Sequence, residues 1–160
     1  MAVARNTPNT ILLGSNHPGA DGGITRINEY VCGATPITPG DLIELVLENG
    51  ARKWRPHNSA TAIRSVTVAL ELTMQNKTIN DAYTENQLVE ACTLTSGCKF
   101  YGRVPSGANI SLSDYLQSNG NGMMKEATAS TAAAGVAFAI AGDDAPGAVI
   151  VTTRLIAEVI

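Results

Sequence analysis

The chain is poor in the residues on which most catalysis and nucleic-acid binding rest. Histidine occurs twice in 160 residues, at His17 and His57, and cysteine three times. There is no Cys-x-x-Cys pair, and both histidines stand far from the cysteines, so neither a common zinc spacing nor a disulfide framework is written here. No metal and no cofactor is expected. Charged residues make up 16% of the chain, against about 25% in ordinary soluble domains. With a net charge of −3 the chain lacks the clustered Lys and Arg that binding a phosphate backbone needs, which argues against nucleic acid as a direct partner. Aromatics are scarce as well: one Trp, four Tyr and two Phe leave few to spare for sugar stacking. Long apolar runs are missing. The first eight residues lack a sustained apolar stretch, and Thr131 to Ala141 is too short and too rich in Ala and Gly to span a bilayer, so no membrane is expected.

The usual catalytic signatures are missing too. The chain carries no Gly-x-Ser-x-Gly elbow, no Gly-x-x-x-x-Gly-Lys loop and no His-Glu-x-x-His. A triad would have to rest on His57, and nothing places a nucleophile beside it, so the chain is not expected to be an enzyme.

What is present is a succession of short alternating runs cut by turn residues. Leu42 to Glu48 follows Pro39-Gly40, where a fixed φ and then a free one launch a strand, and Asn49-Gly50 is a hairpin signal before Lys53 to His57. Val66 to Leu72 places Val66, Val68, Leu70 and Leu72 on one face. Gln87 to Leu94 and Cys98 to Val104 are joined by Thr95-Ser96-Gly97, Pro105-Ser106-Gly107 stops the second, and Asn119-Gly120-Asn121-Gly122 suits another hairpin. Met123 to Ala127, Gly135 to Ala141 and Val149 to Ile160 complete the strands, while Thr128 to Ala134 is read as a loop or a single helical turn. This pattern predicts an all-β, single-domain fold with short hairpins over residues 27–160. Residues 1–26, rich in Pro and Gly, predict an extended N-terminal arm anchored by Ile11-Leu12-Leu13. At this length one core is expected, burying about 70% of the unfolded surface.

A few residues invite a functional reading. Trp54, Arg55 and His57 cluster on one predicted strand, and an Arg beside an aromatic is a common interface anchor, although Trp54 could equally fill the core. Arg5 and the Ile11-Leu12-Leu13 island are the matching contacts on the arm. Asp143-Asp144 reads as a surface turn rather than a calcium site, because one acidic pair falls short of the six to eight oxygens the ion takes. Cys92 and Cys98 flank a turn, and in a reducing compartment they read as free, buried thiols.

The order of several of these steps resembles the auxiliary head-decoration, or cement, proteins of tailed bacteriophages. Thr38-Pro39-Gly40-Asp41-Leu42-Ile43-Glu44-Leu45 is similar to the Pro-Gly-Asp step that opens a strand in that family. Asn80-Asp81-Ala82-Tyr83 is similar to its Asp-Ala-Tyr step. Ile110-Ser111-Leu112-Ser113-Asp114-Tyr115-Leu116-Gln117-Ser118-Asn119-Gly120-Asn121-Gly122 resembles its Gly-Asp-containing step before a Gly-rich turn, and Arg154-Leu155-Ile156-Ala157-Glu158-Val159-Ile160 its terminal strand. Ser113 stands where the family usually has Gly, and residues 1–26 have no counterpart. The resemblance implies a compact β-barrel or β-tulip-like domain, made in the host cytoplasm and displayed on the virion exterior. It also implies a homotrimer that binds the major capsid protein and stabilises the shell. A host-carbohydrate-binding β module is the alternative.

Overall fold

In the computed structural model, which describes residues 10–15, 24–27, 29–60, 63, 65–133, 135, 137–141, 148–149 and 154–160, the short alternating runs are strands of two to six residues. The main sheet has the order β1 (Leu12–Ser15), β8 (Cys98–Arg103), β14 (Arg154–Val159), β12 (Ala139–Ala141), β10 (Tyr115–Ser118) and β11 (Met124–Glu126). A second sheet joins β2 (Ile24–Ile27), β7 (Ala91–Leu94) and β6 (Val66–Ala69). A third joins β3 (Val31–Cys32), β5 (Ala51–Pro56) and β4 (Ile43–Glu48), with β3 parallel to β5. A two-stranded pair of β9 (Asn109–Ile110) and β13 (Ala148–Val149) lies apart from these. One short helix, α1 (Ala129–Ala133), fills the Ala- and Thr-rich segment that the sequence left open between loop and helical turn.

The mainly-β architecture stands as expected. The barrel part of the expectation is corrected: among the described residues every sheet has a linear strand order, and none closes on itself. Barrel closure needs strands long enough to tilt and stagger continuously around an axis, and turns cut these strands too often for that. The sheets pack instead over two apolar clusters. One gathers Ile11, Phe100, Val104, Leu116, Met124 and Leu155 among others, and the second gathers Cys32, Ile37, Ile43, Trp54, Tyr83 and Val89. β6 is the wall between them, since Val66, Val68 and Leu70 face the first cluster and Ala69 the second. Leu72, expected on the Val66 face, packs against the second cluster instead, because the strand ends at Ala69 and a 3-10 turn begins at Thr73.

The N-terminal segment also departs from expectation. Ile11 is 0% exposed, and β1 pairs with β8 through Leu12↔Phe100. The Ile11 carbonyl accepts from the Tyr101 N–H at 2.7 Å, and the Ile11 N–H donates to Glu71 Oε2 at 3.1 Å. β2 crosses the expected boundary at residue 26 and pairs with β7 from Ile24 to Ile27. Leu12–Ser15 and Ile24–Ile27 are therefore strands paired into the sheets of this domain, and the anchor expected at Ile11 is joined by regular pairing on either side of the undescribed residues. The segment showed no strand period because β1 carries a bulge between Leu12 and Gly14, which breaks the alternation.

One local device starts several strands. Asp41, Asp81 and Asp114 each accept a backbone N–H three residues upstream through Oδ2, from Thr38 at 2.7 Å, Thr78 at 2.7 Å and Ser111 at 2.6 Å. Each also returns its own N–H to the carbonyl of that upstream residue, at 2.9, 3.1 and 3.1 Å. Gln87 does the same with Thr84 through Oε1, at 2.8 and 3.1 Å. Both polar groups at the turn mouth are satisfied locally, so the chain leaves each turn already extended. The third residue of three of these turns has positive φ: Gly40 at 89°, Asn86 at 65° and Ser113 at 66°. The third position of these turns thus calls for the left-handed region, which Gly enters freely and Ser113 occupies under strain.

The first of these turns is the hub of the fold. Asp41 is 2% exposed, and its Oδ1 accepts from Arg103 Nη1 of β8 at 2.8 Å. Arg154 of β14 donates to the carbonyls of Pro39 and Ile79. The backbone is shared as widely. Gly40 N–H donates to Ala69 O at 2.8 Å, Ala69 N–H to Asp41 O at 3.0 Å, and Leu42 N–H to Gly122 O at 2.7 Å. One four-residue turn thus ties the main sheet, β6 and the Gly122 turn together. A Cβ on Gly40 would lie 2.9 Å from the Tyr101 carbonyl, so the turn admits no side chain there.

Two substitutions test these readings. Ser113→Gly is expected to stabilise the domain by about 1 kcal/mol, the cost of a non-glycine residue held at positive φ, measured as a raised urea midpoint with an unchanged slope. Asp41→Ala is expected to destabilise by about 3 kcal/mol, because it leaves buried guanidinium charge and the Thr38 N–H without their acceptor; a loss under about 1 kcal/mol in the same titration would remove the turn from its place at the hub.

Candidate functional site

The two-residue turn Asn49-Gly50, with φ of 51° and 78°, closes the β4–β5 hairpin in the left-handed geometry that matches strand twist. Its register runs from Glu48↔Ala51 to Ile43↔Pro56. In a hairpin so closed, Glu48↔Ala51, Val46↔Lys53 and Glu44↔Arg55 are the hydrogen-bonded pairs, which leaves the backbone groups of Leu45 and Leu47 pointing away from β5. β4 is the outer strand of its sheet. Leu45 is 36% and Leu47 75% exposed. The outer strand thus presents an apolar row together with an open edge, and natural proteins seldom leave both uncovered.

Beside this edge lies a cleft. β4 and β6 touch at the Leu42↔Val68 bridge and then part. The space between them, about 540 Å³, has an apolar part made by Ile43 and Leu45 of β4, Trp54 of β5 and Ile63, and a polar part made by Glu44, His57, Ser59, Ser65, Thr67 of β6 and Thr93 of β7. Thr67 Oγ1 and Thr93 Oγ1 are 3.0 Å apart. Glu44 Oε1 accepts from Arg55 Nε at 2.9 Å and from the Asn58 N–H at 3.3 Å. Trp54 is 4% exposed and stacks edge-on with Tyr30, and its indole N–H is buried with no acceptor among the described residues.

Three of the residues singled out in the sequence meet here, and in different roles. Trp54 is a core residue that also lines the cleft. Arg55 is half-exposed and paired with Glu44. His57 is buried, with Nδ1 2.9 Å from Ser118 Oγ, which in turn accepts the Gly120 N–H at 3.1 Å. His57 N–H donates to Leu42 O at 2.8 Å and its carbonyl accepts from Gly122 N–H at 3.0 Å. Ser118 is the neighbour that the sequence did not place beside His57, and its Oγ is committed to fixing the Gly120 turn. Ile11 is inside the core, Leu12 packs against it and Leu13 is partly buried, so this island does not form an exposed strap. Arg5 and Asp143-Asp144 lie outside the described residues. Cys32, Cys92 and Cys98 are buried and unbridged. Among the described residues no three His, Cys, Asp or Glu side chains gather as a metal site, and no helix is long and apolar enough to cross a membrane.

The sequence also missed Thr67, Thr93, Asp41, Arg103 and Arg154. Alternation placed Thr67 across from the Val66 face, but nothing local brings Thr93 beside it, 26 residues on. Arg103 stands 62 residues from Asp41, and only the sheet order brings them together.

Electrostatics follow burial. Desolvation pushes the Asp41 carboxyl above its usual range, opposed by the Arg103 charge, and pushes the Arg154 guanidinium down, helped by Arg103 beside it. Exposed Asp81 is held below its usual value by the Thr78 N–H and hydroxyl. Tyr83, whose hydroxyl donates to Leu70 O at 2.7 Å, is pushed by burial from 10.0 up to about 12. Comparison with known proteins finds no family model that matches the chain and no curated protein that matches it.

The raised value at Tyr83 fixes a sign. The neutral phenol is favoured by the fold, so its contribution is fully present below pH 10.0 and is lost as pH rises toward about 12. Tyr83→Phe is expected to lower stability by about 1 kcal/mol at neutral pH through the lost hydrogen bond. It should also flatten the alkaline loss of stability in denaturant titrations; a Phe variant that falls as steeply as the parent would show that Tyr83 ionises freely.

Proposed function

We propose that this chain is a structural, non-catalytic virion protein that binds the outside of an assembled phage capsid as a homotrimer and bridges neighbouring major capsid subunits. The observation that carries this reading is the β4 edge, where exposed Leu45 and Leu47 flank open backbone groups on a chain with only 16% charged residues. A surface of that kind is costly on a free domain and suits one covered by neighbours. The ordered steps that resemble decoration proteins support it further, since Thr38–Asp41 and Ser111–Asp114 have a physical reason to recur: each satisfies its own turn and launches a strand.

The function then rests on linkage. A ligand that binds only the intact shell raises the free energy needed to disrupt it. Three chains held together present three copies of each contact, so each contact can be weak. Because Ile11 is consumed by the domain's own core, the contacts assigned here are those of the β4–β5 hairpin. The cleft beside β4 favours a second reading, a module that binds host-surface carbohydrate.

The test is a double substitution, Leu45→Lys with Leu47→Lys, which adds charge to the edge without touching the buried clusters. Its melting temperature is expected to stay close to the parent's. Self-association in light scattering and co-sedimentation with expanded capsid shells are both expected to weaken at least roughly tenfold. A variant that assembles and binds like the parent overturns the role of this edge. Shells whose heat-release curve is identical with and without the parent protein overturn the stabilising function.

A further inference from the structure

We propose that Asn49, at the tip of the β4–β5 hairpin, is a site of selective spontaneous modification: its side-chain amide is lost through a cyclic imide, and the hairpin gains a carboxylate and, in part of the molecules, a longer backbone. The chemistry needs only water and does not depend on shell binding.

The reaction is intramolecular. The Gly50 backbone nitrogen, its proton taken by base, attacks Asn49 Cγ, and the new Cγ–N bond closes a five-membered ring. The Cγ–Nδ2 bond breaks, and the leaving nitrogen takes up a proton and departs as ammonia. Water then opens the imide at one of its two carbonyls. Opening at Cγ restores the ordinary backbone with an aspartate side chain, whereas opening at the α-carbonyl routes the backbone through Cγ and lengthens it. Nothing is oxidised or reduced.

The chain offers this dipeptide three times, at Asn49-Gly50, Asn119-Gly120 and Asn121-Gly122, and in each the following Gly has no side chain to hinder ring closure. The fold separates them. Gly120 N–H donates to Ser118 Oγ at 3.1 Å and Gly122 N–H to His57 O at 3.0 Å, so both attacking nitrogens are held in place with their protons. Asn121 Oδ1 is held as well, accepting from the Met123 N–H at 3.2 Å. The space around both glycines is taken: a Cβ on Gly120 would lie 3.4 Å from the Asn58 carbonyl oxygen, and one on Gly122 3.0 Å from Pro56 Cβ. The peptide groups that must rotate for ring closure are packed.

At the hairpin tip neither restraint applies. Asn49 and Gly50 are both exposed, and apart from its chain neighbours nothing stands within 4 Å of a Cβ built on Gly50. Among the described residues neither the Gly50 N–H nor the Asn49 side-chain amide has a hydrogen-bond partner. The turn is closed from one side only, by the Glu48↔Ala51 pair that ends the ladder, so the rotation that brings the nitrogen onto Cγ disturbs little else.

Conversion changes the hairpin in two ways. The new carboxylate stands next to Glu48, and the longer backbone no longer fits a two-residue turn whose register begins at Glu48↔Ala51. A weakened hold of the β4 edge on its neighbours follows, and this consequence alone rests on the reading proposed above.

The test is to incubate the full chain at neutral and mildly alkaline pH and to follow each Asn-Gly site by peptide mass spectrometry. In the folded chain Asn49 is expected to convert at least roughly tenfold faster than Asn119 or Asn121, since those two must first open locally, and to convert faster at the higher pH. In urea the three rates should approach one another. Equal rates in the folded chain overturn the proposal, and so does a preference for Asn49 that persists undiminished in urea. Asn49→Gly, which suits the left-handed turn position and lacks the amide, should remove the main acidic species that accumulates on ion exchange; survival of that species overturns the assignment. Aged parent protein is expected to co-sediment with expanded shells less well than equally aged Asn49→Gly. Selective conversion at Asn49 with unchanged co-sedimentation overturns the consequence for docking and leaves the modification site standing.

Discussion

A buried carboxylate governs this structure. Asp41 is removed from water at the end of a four-residue turn, and an isolated charge there would be prohibitive. It is tolerable because the Thr38 N–H lies on one oxygen and Arg103 on the other, both at hydrogen-bond distance. Arg154 packs against the same turn and is held by the carbonyls of Pro39 and Ile79. The arginines come from adjacent strands of the main sheet, β8 and β14, which pair through Arg154↔Arg103. Two like charges so placed repel, and Asp41 between them is what makes their proximity acceptable. The turn therefore forms fully only when the sheet is assembled, and the sheet positions its arginines fully only when the turn is present. That mutual requirement is a source of cooperativity in a domain whose individual strands are too short to be stable alone.

The same turn shows why a small side-chain vocabulary suffices. Each Ser/Thr-x-x-Asp step closes its own hydrogen bonds and needs nothing from distant residues. At Thr78–Asp81 and Ser111–Asp114 the device is at the surface and costs little. At Thr38–Asp41 the same local geometry has been taken into the interior, and long-range arginines had to be added. The difference appears in the ionisation of the two acids. The exposed Asp81 carboxyl is held down by its own turn, whereas burial at Asp41 outweighs the same turn bond and the Arg103 charge together.

This contrast also explains what the sequence made legible. The hairpins at Asn49-Gly50 and Asn119–Gly122, the strand at Leu42–Glu48 and the mainly-β class could be read because turn chemistry and period-two alternation are local. β1 escaped because its bulge destroys the alternation, and a segment rich in Pro and Gly reads as irregular whatever partner waits for it across the sheet. Trp54 could not be assigned between core and surface, and the structure shows why the choice was not a simple one: the residue is buried, yet it also lines a cleft. Closure of the sheets is a global property of stagger and length, and a list of short strands carries almost no information about it.

The exposed apolar edge follows from the division between the two faces of the third sheet. Trp54, Ile43, Leu45 and Leu47 share one face of the β4–β5 hairpin, as their register pairs require, and burial falls steadily along it from Ile43 to Leu47. Near the hub the face is sealed by the second apolar cluster. Toward the Asn49-Gly50 tip the hairpin outruns the body of the domain, and the same apolar alternation continues into solvent. Alternation that continues past the core has no use within the monomer, since exposed leucines add nothing to its stability and increase its tendency to associate. The cleft lies where β4 and β6 separate, and its walls carry Ile43, Leu45, Trp54 and Ile63 beside the hydroxyls of Thr67 and Thr93. The separation of the two strands beyond the Leu42↔Val68 bridge therefore leaves both the apolar edge of β4 and the recess beside it uncovered among the described residues.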